Sequence, residues 1–201
     1  RIRGRPGREE GRQVGEGGST ATINRLHADG GRAYVPSENV ATLTQIDVKR
    51  LVPTKTIDLG KGMRPMGTRM SADGKFLYVS TGRSKQAMVL DTATDKVIAS
   101  VEAGDRPWGI GVSPDGKTLA YLTEKGDCFL VPAAGGDPRP ATEKPHPPFL
   151  EDDSTVPYFS PRGDALFFLA GNAVWRVGRA DGSATEFAKV AGREMRVLVP
   201  G

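Results

Sequence analysis

Two arginines, Arg64 and Arg106, occupy the same place in two similar segments of the chain, and each directly precedes a proline. A guanidinium group presents a planar fork of donors that matches a carboxylate or a phosphate, so the pair could hold an anion, with Trp108 close behind the second arginine. The same arginines could instead bond backbone carbonyls between neighbouring structural units, and we favour this interpretation. If a binding site is present, the sequence predicts Arg64, Arg106 and Trp108 as its residues and a protein or a small anionic ligand as its partner.

Other chemistry has little support in the sequence. His27 and His146, the only histidines, have no metal-ligand partner at a suitable spacing. The acidic run at residues 151–153 lacks the glycine and the further ligands of a calcium loop. No serine lies in a Gly-x-Ser-x-Gly elbow, and no glycine run matches a phosphate-binding loop. We therefore expect no catalytic residue, no metal and no cofactor.

The sulfur-bearing residues fit a structural role. Met63, Met66 and Met70 could bind a soft metal, but packing in a core explains them more simply. Cys128 is the single cysteine, which excludes an internal disulfide.

The elements that position these residues follow from a repeat. Four aligned segments of nine residues share a turn dipeptide, and their turn glycines lie 44, 42 and 47 residues apart. The glycine supplies the positive φ of a β-hairpin turn, and an apolar strand follows it at once. The four segments read HADGGRAYV, SADGKFLYV, SPDGKTLAY and SPRGDALFF.

Each repeat contains a second hairpin, which makes four strands per repeat. This number of strands, joined by hairpins and repeated at a period of about 40–45 residues, is typical of β-propeller blades. The second repeat shows the pattern most clearly, with predicted strands at residues 66–70, 76–80, 87–90 and 97–101.

Two stretches carry a family resemblance. GMRPMGTRMSADGKFLYVS and GDRPWGIGVSPDGKTLAYL resemble the YVTN-type propeller repeat, and this resemblance extends over residues 21–122. Residues 156–183 are more similar to a TolB-type or peptidase-associated blade. Both resemblances imply an all-β β-propeller with four blades of four antiparallel strands. In YVTN-like wheels the segment that holds Arg64 and Arg106 faces the mouth of the central channel.

We expect the chain to be a partial wheel of a six- to eight-bladed propeller; the alternatives are a closed four-bladed ring and a ring that self-association completes. Residues 1–20 hold five arginines, three glutamates and six glycines, which predicts a flexible basic arm. The predicted blades cover about residues 21–60, 61–104, 105–155 and 156–192, and a fifth strand set starts at 193–201.

The predicted function is a non-enzymatic binding or scaffold module. The net charge of +4 comes from scattered basic residues, so we expect no nucleic-acid partner. No apolar run is long enough to span a membrane, and no signal peptide is visible. The resemblance implies a periplasmic or extracellular location and protein–protein interaction. The alternative is the propeller domain of an enzyme or cofactor-bearing protein, either lactonase-like, quinoprotein- or haem-associated, or peptidase-associated.

Overall fold

The computed structural model describes residues 25–26, 29–104, 106–107, 109–123, 125, 127–142, 156–170 and 173–189. These residues form four antiparallel sheets of four strands each, which we number as blades 1 to 4. Blade 1 contains β1 (Arg25–Leu26), β2 (Arg32–Ser37), β3 (Thr42–Asp47) and β4 (Val52–Asp58). Blade 2 contains β5 (Thr68–Met70), β6 (Phe76–Ser80), β7 (Gln86–Asp91) and β8 (Lys96–Glu102). Blade 3 contains β9 (Ile110–Val112), β10 (Thr118–Leu122), β11 (Cys128–Pro132) and β12 (Arg139–Pro140), and blade 4 contains β13 (Tyr158–Phe159), β14 (Ala165–Ala170), β15 (Ala173–Gly178) and β16 (Ala184–Lys189).

Strand order within every sheet follows the chain, so each blade is a series of hairpins. The first strands of successive blades contact one another, β1 with β5, β5 with β9 and β9 with β13. Sheets that approach through their first strands are arranged around a common centre, which is the arrangement of propeller blades. The predicted all-β propeller with four four-stranded blades is confirmed, and a partial wheel is consistent with it.

The Ser-x-Asp-Gly turn between the first two strands is stabilised by its own side chains. Ser71 Oγ donates to Asp73 Oδ1 at 2.7 Å and accepts from the backbone N–H of Phe76 at 3.0 Å. Gly74 has a φ of 73°, a conformation that an L-residue adopts only with strain. Equivalent bonds join Ser113 to Asp115. The turn is therefore encoded locally, which explains why the repeat is visible in the sequence.

The turn aspartates make the free energy of unfolding depend on pH. The hydroxyl of Ser71 lowers the pKa of Asp73 below its ordinary value of 3.8, and Ser113 does the same for Asp115. A lowered folded-state pKa contributes stability above about pH 4 that is lost as the pH falls below it. We expect the midpoint of urea unfolding to be lower at pH 3 than at pH 6. This difference should be smaller in the double variant Asp73→Asn/Asp115→Asn. An unchanged difference in the double variant would contradict the assignment.

Apolar side chains from the middle strands fill the space between neighbouring blades. Tyr78 of blade 2 also donates its hydroxyl to the carbonyl of Gly116 in blade 3, at 3.2 Å. Fully burying a large apolar side chain stabilises a fold by about 1.5–3 kcal/mol, so these layers hold the blades together. The layer between blades 1 and 2 contains Tyr34, Leu43, Ile57, Leu77, Val79 and Leu90; that between blades 2 and 3 contains Tyr78, Val89, Val101, Leu119 and Tyr121; and that between blades 3 and 4 contains Leu122, Cys128, Leu130, Leu166, Phe168 and Val177.

Polar contacts add to the joint between blades 1 and 2. Lys55 Nζ donates to Asp95 Oδ2 at 2.7 Å, and Arg32 Nη1 donates to the carbonyl of Thr92 at 3.1 Å. The Asp95 side chain is 11% exposed, so solvent screens its ion pair less than it would at an open surface. These contacts therefore join blades 1 and 2 in addition to the apolar layer.

Several predicted features lie outside the described residues. They are the arm at 1–20, the strand set at 193–201, His27, His146 and the acidic run at 151–153. Within the described part of the chain, no helix is long and apolar enough to cross a bilayer.

Candidate functional site

The connections between blades lie on one side of the wheel. The segments from β4 to β5 and from β8 to β9 run from the last strand of one blade to the first strand of the next. The loops from β2 to β3 and from β6 to β7 lie on the same side, because consecutive strands are antiparallel. We name this side the loop face, and the opposite side, which carries the Asp-Gly turns, the turn face.

Arg64 lies on the loop face and joins blades 1 and 2. Its Nη1 is 3.5 Å from Oε1 of Glu38, which belongs to a short 3-10 turn between β2 and β3. The two side chains are 40% and 34% exposed. An ion pair this exposed contributes about 0–1 kcal/mol, so Arg64 can exchange Glu38 for another acidic group at small cost. The sequence analysis favoured arginines that bond backbone carbonyls between neighbouring units. Arg64 does contact a neighbouring blade, but its partner is a carboxylate and not a backbone carbonyl.

Arg106 takes the equivalent place before blade 3. Its φ is 51°, in the left-handed region that non-glycine residues rarely occupy. Such a conformation costs about 1–3 kcal/mol and persists only where the surroundings impose it. The side chain is half-buried, with a buried Nε atom. Trp108, the third predicted residue of this site, lies outside the described residues.

Gly82 brings these segments together. Its N–H donates to the carbonyl of Pro107 at 3.2 Å, and the position of a Cβ on Gly82 would be 3.6 Å from the carbonyl oxygen of Arg64. The backbones that carry Arg64 and Arg106 therefore meet at this buried glycine. The next residue, Arg83, has an exposed side chain on the same face. The backbone segments that carry these three arginines therefore lie close together on the loop face.

The sequence did not identify Arg83 as a candidate binding residue. It lies in a 3-10 turn of residues Gly82–Ser84 and belongs to no repeated motif. Its equivalent loop in blade 1 holds Glu38–Val40, which carries the opposite charge. Only the contact between Gly82 and Pro107 shows that Arg83 lies beside the predicted pair.

A second group of residues lies at the middle of the first strands. The Cζ atom of Arg69 in β5 is 4.7 Å from the centroid of the Tyr158 ring in β13, within the range of a cation–π contact. This contact joins blades 2 and 4, which are not neighbours in the ring. The repeat alignment carried a signal for it, because Arg69 and Tyr158 occupy equivalent places before their turn glycines.

The sulfur-bearing residues lie in or beside the apolar layers. Met63 and Met70 pack against the layer between blades 1 and 2, and Met66 lies against Gly82. Cys128 is fully buried, and this burial raises the pKa of its thiol to about 12. Among the residues that the structure describes, no group of three or more histidine, cysteine or acidic side chains is arranged to hold a metal ion.

Comparison with known proteins supports the fold. No protein-family model matches the chain. Antigen Lp49 of Leptospira interrogans serogroup Icterohaemorrhagiae serovar copenhageni is 33% identical over an alignment 102 residues long, and the match covers 44% of this chain and 22% of that protein.

Two solved structures are similar over most of the chain. Kuenenia stuttgartiensis hydrazine synthase has a TM-score of 0.68 at 21% identity, and the match covers 90% of this chain and 52% of that one. The β-propeller domain of Myceliophteria thermophila Cps50 (Swd1) has a TM-score of 0.67 at 14% identity, with 88% and 58% covered. The chain therefore spans about half the length of the solved chains it matches. At these identities the likeness shows the propeller fold alone.

Proposed function

We propose that the chain is part of a non-enzymatic β-propeller binding module that works outside the cytoplasm and holds an acidic partner protein on its loop face. The observation that carries this proposal is the approach at Gly82 of the backbone segments that hold Arg64, Arg83 and Arg106. Guanidinium groups form charge-assisted, bidentate hydrogen bonds with carboxylates, so three arginines on the loop face favour an acidic surface. The proposal retains Trp108 from the sequence analysis, because tryptophan and arginine are enriched among the hot-spot residues of protein interfaces.

The weak pair between Arg64 and Glu38 supports a role in binding, because a carboxylate already occupies the place that a partner's acid would take. The location is supported by the similarity to a protein that is named as an antigen. The repeat itself would be of the YVTN type over residues 21–122 and TolB-like over residues 156–183.

Binding to immobilised poly-L-glutamate, which stands in for an acidic protein surface, tests this proposal. We expect Arg64→Gln/Arg106→Gln to weaken binding by about tenfold or more, because two charge-assisted contacts are removed. The matched control is Lys49→Gln/Lys117→Gln, which removes the same charge from the turn face. Both double variants should keep the melting temperature of the unmodified chain. Equal losses in the two double variants would contradict a site on the loop face.

A further inference from the structure

The middle positions of the first strands form a small site at the centre of the wheel. The strand register makes these positions equivalent in all four blades, since Arg25 pairs with Tyr34, Arg69 with Tyr78, Gly111 with Ala120, and Tyr158 with Phe167. Blade 2 thus contributes a cation, blade 3 no side chain, and blade 4 an aromatic ring. This difference between blades is not needed for the propeller architecture, which is the same in all of them.

Gly111 makes the contact across the centre possible. A Cβ at this position would overlap the carbonyl oxygen of Pro157, the residue that precedes β13. The backbones of blades 3 and 4 therefore approach each other as closely as a glycine allows. Because blade 3 has no side chain at this register, Arg69 can extend past it and reach the Tyr158 ring.

Arg69 has unused hydrogen-bonding capacity. Its side chain is half-buried, and among the described residues its guanidinium has no ion-pair or hydrogen-bond partner besides the ring contact. The ring occupies one side of the guanidinium, while its N–H groups point outward in the plane and can still donate. A partly buried cation is stabilised most by an opposite charge that also accepts its hydrogen bonds. Among the described residues, the hydroxyl of Tyr158 likewise has no hydrogen-bond partner.

We propose that Arg69 binds a carboxylate at the centre of the wheel, held in a bidentate manner by the guanidinium that Tyr158 orients. Tyr158 is a positioning residue, because its ring fixes the plane of the donor fork. The site is separate from the loop-face arginines and does not depend on the function proposed for them. The carboxylate belongs either to a small dicarboxylic acid or to an acidic side chain of a protein that enters the channel, and the two sources share this chemistry.

The test uses the full chain labelled with ¹⁵N, titrated with succinate at constant ionic strength in sodium chloride. We expect the Arg69 Nε–H resonance to move saturably, and Arg69→Lys and Arg69→Gln to weaken the affinity by about tenfold or more, because lysine keeps the charge without the fork. Tyr158→Phe should bind within about threefold of the unmodified chain and Tyr158→Leu more weakly, since only the ring orients the guanidinium.

Two further arms complete the test. A glutamate-bearing peptide with amidated ends that binds more tightly than succinate identifies a protein side chain as the source, and the reverse order identifies a small acid. Lys49→Gln/Lys117→Gln, which removes positive charge from the turn face, should leave succinate affinity unchanged, because net charge alone does not form the Arg69 site. Absence of saturation with both probes, an unchanged affinity in Arg69→Gln, or tighter binding of inorganic phosphate than of succinate would overturn the proposal.

Discussion

Gly111→Ala is expected to lower the free energy of unfolding by about 3 kcal/mol. The added Cβ would overlap the carbonyl oxygen of Pro157 and lie 3.1 Å from its carbonyl carbon. Both are backbone atoms, so no change of rotamer can make room. The overlap is relieved only if β13 moves away from β9, which opens the apolar layer between blades 3 and 4. Guanidinium denaturation followed by circular dichroism measures this loss.

The matched control is Gly31→Ala. Gly31 also lacks a positive φ, and the nearest atom to its added Cβ would be Oδ1 of Asp29 at 3.4 Å, which is an ordinary van der Waals contact with an exposed side chain. We expect this control to change stability by less than about 0.5 kcal/mol. If Gly111→Ala were as stable as Gly31→Ala, blades 3 and 4 could not approach as closely as described. Movement of β13 should also separate Tyr158 from Arg69 and reduce succinate binding.

Leu119→Ala is expected to destabilise the chain by about 3 kcal/mol, in the range found for buried leucines. Leu119 is fully buried, pairs with Val112 and Val131 within blade 3, and packs in the layer that joins blades 2 and 3. Truncation removes apolar contacts and leaves a cavity that neighbouring strands cannot close, because their hydrogen-bonded ladders hold them in place. The effect is read from the midpoint of a urea or guanidinium titration.

Ile98→Ala is the control for the loss of a large apolar side chain. Ile98 lies on β8, the outermost strand of blade 2, and is 55% exposed. We expect a change of less than about 0.5 kcal/mol, because most of this side chain is already in water. A comparable loss from Ile98→Ala and Leu119→Ala would show that the layer between blades contributes less to stability than its burial implies.

The local part of the fold was predictable because short-range hydrogen bonds encode it. The strands at residues 76–80 and 118–122 have the predicted bounds, and both begin directly after a Ser-x-Asp-Gly turn. The strand predicted at 66–70 is shorter in the structure, where β5 covers Thr68–Met70. The N–H of Met66 donates to the carbonyl of Ser80 at 2.8 Å, and the N–H of Ser80 donates to the carbonyl of Gly67 at 2.9 Å. Both residues therefore bond to Ser80, and the regular ladder begins only at Thr68.

The candidate sites were predictable only in part. Arg64 and Arg106 were found because they precede prolines at equivalent places in the repeat. Arg83 has no such marker, and its place depends on a hydrogen bond between Gly82 and Pro107 of different blades. The pair of Arg69 and Tyr158 depends on an even longer-range feature, the approach of blade 4 to blade 3 at Gly111.

The sequence by itself determined the strands, the turns and the number of blades, because each depends on side chains within a few residues of one another. Only the tertiary structure decided which side chains contact each other at the centre of the wheel and which segments approach each other on the loop face. These contacts depend on the angle and distance between blades. Both are set by whole layers of packed side chains and by close backbone contacts such as that at Gly111. Arg69 and Tyr158 are therefore equivalent positions of two repeats in the sequence, and they come into contact only in the folded wheel.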